Sequence, residues 1–101
     1  MWFIGPAVKS LSALAIGTLT LTPAFASETF EYTAATTDAT NKITATPTDS
    51  GDTVTIINGE TEVDNGDSAT WEAGDNTVTI TVADRDDPTN TTEYTVTVTK
   101  S

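Results

Sequence analysis

Three acids in one short stretch are the chain's best candidate for chemistry. Asp84, Asp86 and Asp87 crowd the segment DRDDPTN, and hard carboxylate oxygens in a turn suit Ca2+. The EF-hand spacing is missing, and Arg85 sits inside the run. The plainer reading is a solvated acidic turn, and no metal is expected there. Catalytic options are narrow. The chain has no His and no Cys, which removes Ser-His-Asp and Cys-His catalysis and the His- or Cys-based zinc sites. No Gly-rich phosphate loop is present. A carboxylate pair can cleave a glycoside, but fifteen acids on so small a chain meet by accident. The expectation is no enzyme and no cofactor.

Three kinds of binding feature remain. Trp71 could stack on a sugar, but it shares a parity with Ala69, and an inward Trp belongs to a core. Tyr32 and Tyr94 read the same way, so a glycan ligand has no further support. Asn90-Thr91-Thr92 is a glycosylation sequon of a kind that a Thr-rich chain produces by chance. Trp2, Phe3 and Ile4 are three consecutive bulky apolar residues near a terminus. Such a patch usually marks a contact. They either cover one end of the chain's own fold or form an arm that docks on another subunit.

The charge balance limits the partners. Net charge is −11, with only Lys9, Lys42, Arg85 and Lys100 basic. So few cations cannot displace the counterions of a nucleic acid, and an anionic membrane surface repels the chain. Protein partners are left: subunits of a larger assembly, or further copies of the chain itself. With no Cys, no disulfide supports the fold, and the thiol content says nothing of compartment.

The elements that must position these residues are strands. Thr makes up about a quarter of the chain, and it alternates with Val and Ile. In NTVTITVAD, Val78, Ile80 and Val82 share one parity. In EYTVTVTK, Tyr94, Val96 and Val98 do. Strict period two marks half-buried strands with a polar outer face. Further strands are expected around Ile43 and Ala45, ending at Pro47, around Val54 and Ile56, around Ala69 and Trp71, and around Phe30 and Tyr32. Asn58-Gly59 and Asn65-Gly66 are turn signals, so Thr61 to Val63 forms at most a brief strand. Turns recur every eight to twelve residues or so, which predicts an all-β, immunoglobulin-like antiparallel β-sandwich of about seven short strands.

Residues 1–26 support two readings. Ala24-Phe25-Ala26 ends an apolar stretch as a signal-peptide cleavage site does, which would make the chain a secreted or bacterial cell-surface module. Against this, the first charge is Lys9, behind bulky residues, and Ser10, Ser12, Thr18, Thr20 and Thr22 interrupt the stretch. On the other reading Leu11, Leu14, Ile16, Leu19 and Leu21 are strand residues of the folded domain.

Ordered motifs decide between them. Leu11 to Leu14, then LTPAF (Leu21, Pro23, Phe25), then Tyr32, then WEAGDN (Trp71, Gly74, Asn76) before TVTITV, then Tyr94, Val96 and Val98, follow one another as in the bacterial and phage cadherin-like β-sandwich domain, which the chain resembles over residues 9 to 100. Trp71 stands where an aliphatic is usual, and DRDDPTN replaces an Asp-Gly turn. The resemblance implies an immunoglobulin-like domain over 9–101 behind an apolar arm, 1–8, with LTPAF as a turn between the first two strands. It does not bring calcium binding or adhesion with it. The expected function is a structural or surface-display module without enzymatic activity. A phage virion component, decorating a capsid or belonging to a tail, fits best. It would sit at the virion surface and dock through Trp2, Phe3 and Ile4.

Overall fold

The computed structural model describes residues 9–26, 29–49, 51–87 and 89–101. Eight strands are present, and no helix is found among the described residues. They are β1 (Leu11–Ile16), β2 (Glu31–Thr36), β3 (Thr40–Pro47), β4 (Thr53–Asn58), β5 (Thr61–Val63), β6 (Ser68–Thr70), β7 (Gly74–Ala83) and β8 (Thr91–Lys100). They form two sheets, β1-β3-β6 and β2-β8-β7-β4-β5. All neighbours are antiparallel except β2 and β8. The expected all-β sandwich is therefore present, with one strand more than the sequence predicts. β7 and β8 are not short: each runs for ten residues, because Gly74, Asp75 and Asn76 pair on with β8 ahead of the Thr alternation.

The core lies between the sheets. From the large sheet come Val78, Ile80, Val82, Tyr94, Val96, Val98, Ile56, Tyr32 and Ala34. From the other side come Leu11, Leu14, Ile16, Ile43, Ala45, Ala69 and Trp71. Leu11 and Leu14 are three apart, a spacing that a flat strand would send to opposite faces. A register shift between Leu11 and Ala13 turns both inward. The outer face of the large sheet is clothed in threonine. Thr33 pairs with Thr97 and Thr97 with Thr77, and Thr95 lies opposite Thr79.

The segment after β1 differs from expectation in one respect. Leu19 and Leu21 alternate with threonines like strand residues, yet only one bridge forms, Thr22 with Thr33. The chain is crossing between sheets here, and Pro23 has no N–H with which to extend the pairing. Leu21 still enters the core, and Phe25 stacks on Tyr32 at 5.9 Å between ring centroids. The Tyr32 hydroxyl donates to the Ala26 carbonyl at 2.6 Å. Leu11, Leu14, Ile16 and Leu21 are all buried, at about 1.5–3 kcal/mol each. Their sum is comparable with the whole margin of a small domain, about 5–15 kcal/mol. Cleavage after Ala26 would leave this sandwich without β1 and those four side chains.

Candidate functional site

One end of the sandwich concentrates the polar groups that the core excludes. β3 ends there, β4 begins there, β7 ends there, and the chain leads into β1 there. Two connections meet at this pole, 48–52 and 84–90. Both are rich in Asp, because short turn residues bond their own backbone. Asp84 Oδ1 accepts from the Asp86 N–H at 2.8 Å. Asp87 Oδ1 accepts from the Thr89 hydroxyl at 2.6 Å. Asn90 closes the loop through its backbone, its carbonyl accepting from Asp84 N–H at 3.1 Å and its N–H donating to Asp87 O at 2.9 Å. The Asn of the sequon thus closes a tied loop, and its two threonines open β8.

The centre of the pole is Lys9. Its ammonium donates to Asp49 Oδ2 at 2.9 Å and lies 3.3 Å from both Asp52 Oδ2 and Asp84 Oδ2. The Lys9 side chain is 7% exposed and that of Asp52 4%. Asp52 Oδ2 faces the ammonium without hydrogen-bond geometry and has no other partner. The hydrogen bond to Asp49 is the main cause that raises the Lys9 pKa; desolvation opposes it, and Asp84 and Asp52 reinforce it. The Asp86 N–H is the main cause that lowers the Asp84 pKa. Desolvation opposes it, and Lys9 assists. Both groups stay ionised across neutral pH. A cleft of about 460 Å3 opens beside them, lined by Thr48, Asp49, Asp52, Asp84, Arg85 and Asp86. Its walls are polar, unlike those of a small-molecule pocket.

This settles where the candidate calcium ligands lie. Asp84, Asp86 and Asp87 share a loop, but Asp84 and Asp87 spend oxygens on that loop and Asp84 also on Lys9, while Asp86 is exposed and lies 3.8 Å from the Arg85 guanidinium. Among the described residues no group of acids is arranged to hold a metal ion. An ammonium occupies the middle of the strongest cluster instead.

The aromatic candidates are structural. Trp71 is buried, and its Nε1 donates to Asn41 Oδ1 at 2.8 Å, so it offers no platform to a sugar. Tyr94 is fully buried, and its hydroxyl accepts from the Leu11 N–H at 3.0 Å, stitching one sheet to the other. Burial pushes its phenol pKa up. Trp2, Phe3 and Ile4 lie outside the described residues. Sequence reasoning missed Lys9 as a hub; the only signal was its rarity, one of four cations, immediately before a strand. It also missed Asn65, whose side-chain amide accepts from Ala45 N–H at 2.9 Å and donates to Ala45 O at 2.6 Å.

The sequence profile of the family described as "Cadherin-like: Cadherin-like beta sandwich domain" matches residues 11–101. The match begins on the first residue of β1, so the family's domain includes that strand. No curated protein matches the chain.

Proposed function

The chain belongs to the cadherin-like β-sandwich family, and on that premise we propose that it is a non-enzymatic structural module that docks to protein subunits through the segment before Lys9. A phage virion surface, as capsid decoration or tail component, is the setting we favour. The observation that carries the reading is the family match over a sandwich whose conspicuous polar cluster is already neutralised in part by Lys9. The absence of His and Cys and the surplus of acid leave protein surfaces as the natural partners. Trp2, Phe3 and Ile4 then supply the apolar contact that the threonine-covered sheet does not.

Deleting residues 1–7 tests this. The domain should keep its strand signature by circular dichroism and lose association with particles or other subunits in sedimentation. Unchanged association would overturn the docking role of the segment. The alternative, a secreted adhesion or glycan-binding module, draws on Ala24-Phe25-Ala26. Intact mass of the mature chain separates the two: a start at Met1 or just after it supports our reading, and a start at Ser27 overturns it.

A further inference from the structure

Lys9 and Ser10, which lead into β1, and Leu11, which opens it, are each tied to other parts of the fold. Lys9 reaches Asp49, Asp52 and Asp84. The Ser10 carbonyl accepts from Thr48 N–H at 2.9 Å, and its hydroxyl bonds that of Thr48 at 2.8 Å. Leu11 N–H reaches Tyr94 at 3.0 Å. These partners belong to the end of β3, the approach to β4, the end of β7 and the middle of β8. β1 itself is an edge strand of six residues with one ladder partner. Tension on the chain ahead of such a strand would normally peel it away one pair at a time.

We propose that Lys9 is the pin of a latch that fixes where and in which direction the preceding segment joins the domain, and that spreads load on that segment across both sheets instead of onto β1. A lysine suits this task. Its long stem reaches inward while one ammonium serves three acceptors. The carboxylates come from two separate connections, so releasing the pin requires both to move. The acids outnumber the cation, so the pole repels itself open when the ammonium is withdrawn. The mechanical role rests on the docking reading above; the latch itself does not.

The test is amine acylation of the intact folded chain with no partner present, read by peptide mass spectrometry at Lys9 and Lys42. Lys42 is solvent-exposed on β3. Lys9 should react about tenfold more slowly or slower still, since it must first open locally. In the double variant Asp52→Asn, Asp84→Asn, Lys9 should approach the rate of Lys42, with Lys42 itself unchanged. Equal rates in the parent chain overturn the latch. So does a Lys9 that stays slow in the double variant, because burial alone would then protect it. If the double variant does not fold, the single variant Asp49→Asn carries the same comparison, since Asp49 is the closest and most exposed acceptor. The reading never depends on docking, so a failed latch and a failed docking segment are told apart.

Discussion

The two sheets share one core but are held by different means. The large sheet rests on β7 and β8, paired without interruption from Gly74 opposite Lys100 to Ala83 opposite Thr91. Its inner face is mostly an aliphatic row, joined by Tyr32 and Tyr94. The small sheet has a three-residue edge, β6, whose ladder to β3 spans only Thr40 to Lys42. Beyond it the turn that precedes β6 takes over. Ile43 N–H donates to the Asp67 carbonyl at 3.0 Å and its carbonyl accepts from Gly66 N–H at 2.7 Å. Next, the Asn65 amide acts as a surrogate residue against Ala45. Gly66 takes the positive φ of 92° that lets this turn run along the strand. Where the ladder is short, side-chain amides and turn backbone satisfy the buried groups that a strand would otherwise pair.

This contrast predicts where substitutions will hurt, and how. The largest effect belongs to the aliphatic row. Ile80→Ala should cost about 2–5 kcal/mol in urea unfolding, from lost transfer energy and the cavity left behind. A loss well below that range would mean that the large sheet does not dominate the core. Next comes the surrogate residue. Asn65→Ala strands the Ala45 N–H and carbonyl, at about 1–3 kcal/mol, and hydrogen exchange at Ala45 should quicken while Val96 stays protected. If both amides respond alike, the sheets are not held independently.

Trp71→Phe keeps most of the ring but removes the bond to Asn41, about 0.5–1.5 kcal/mol. Thermal melts will show whether that bond matters beside the packing. The pole joins the two sheets and should show a pH signature, smaller because solvent reaches Asp84 and screens it. Its pKa lies below the ordinary 3.8, so its contribution is present above that value and is lost as pH falls through the lower folded value. The stability difference between the parent and Asp84→Asn should shrink along that descent. Lys9 has its pKa raised above 10.5; its contribution is complete below 10.5 and fades only as pH rises through the higher folded value. Neutral pH should therefore leave the pole untouched. Smallest of all, Thr79→Ser on the outer face should stay within about 0.5 kcal/mol; a larger loss would give the threonine face a packing role.

Much of the fold was legible in the sequence because it is local. Alternation located β7 and β8, and Asn58-Gly59 and Asn65-Gly66 marked real turns, with Gly59 and Gly66 both at positive φ. The parity of Ala69 and Trp71 pointed inward, and both are buried. What sequence could not show are contacts that topology creates. The nearest of the three Lys9 carboxylates is 40 positions away, and no period links them. Leu19 and Leu21 carry a strand's pattern without a strand's partner, since alternation reports burial and not pairing. Asn65 reads as a turn former, which it is, while its amide does a second task that depends on β3 passing alongside.

The parallel pairing of β2 with β8 has a consequence for how the protein is made. β2 has one ladder partner, and that partner is the last ten-residue stretch before Ser101. During synthesis β2 emerges before β8 and must wait, and β7 waits with one side unpaired, until residues 91–100 have been delivered. Chains shortened before Thr91 should leave the β2 amides, apart from Thr33 with its bond to Thr22, unprotected from exchange. Closure of the large sheet is therefore expected to wait for β8, with the acidic, threonine-rich surface keeping the incomplete domain apart from its neighbours in the meantime.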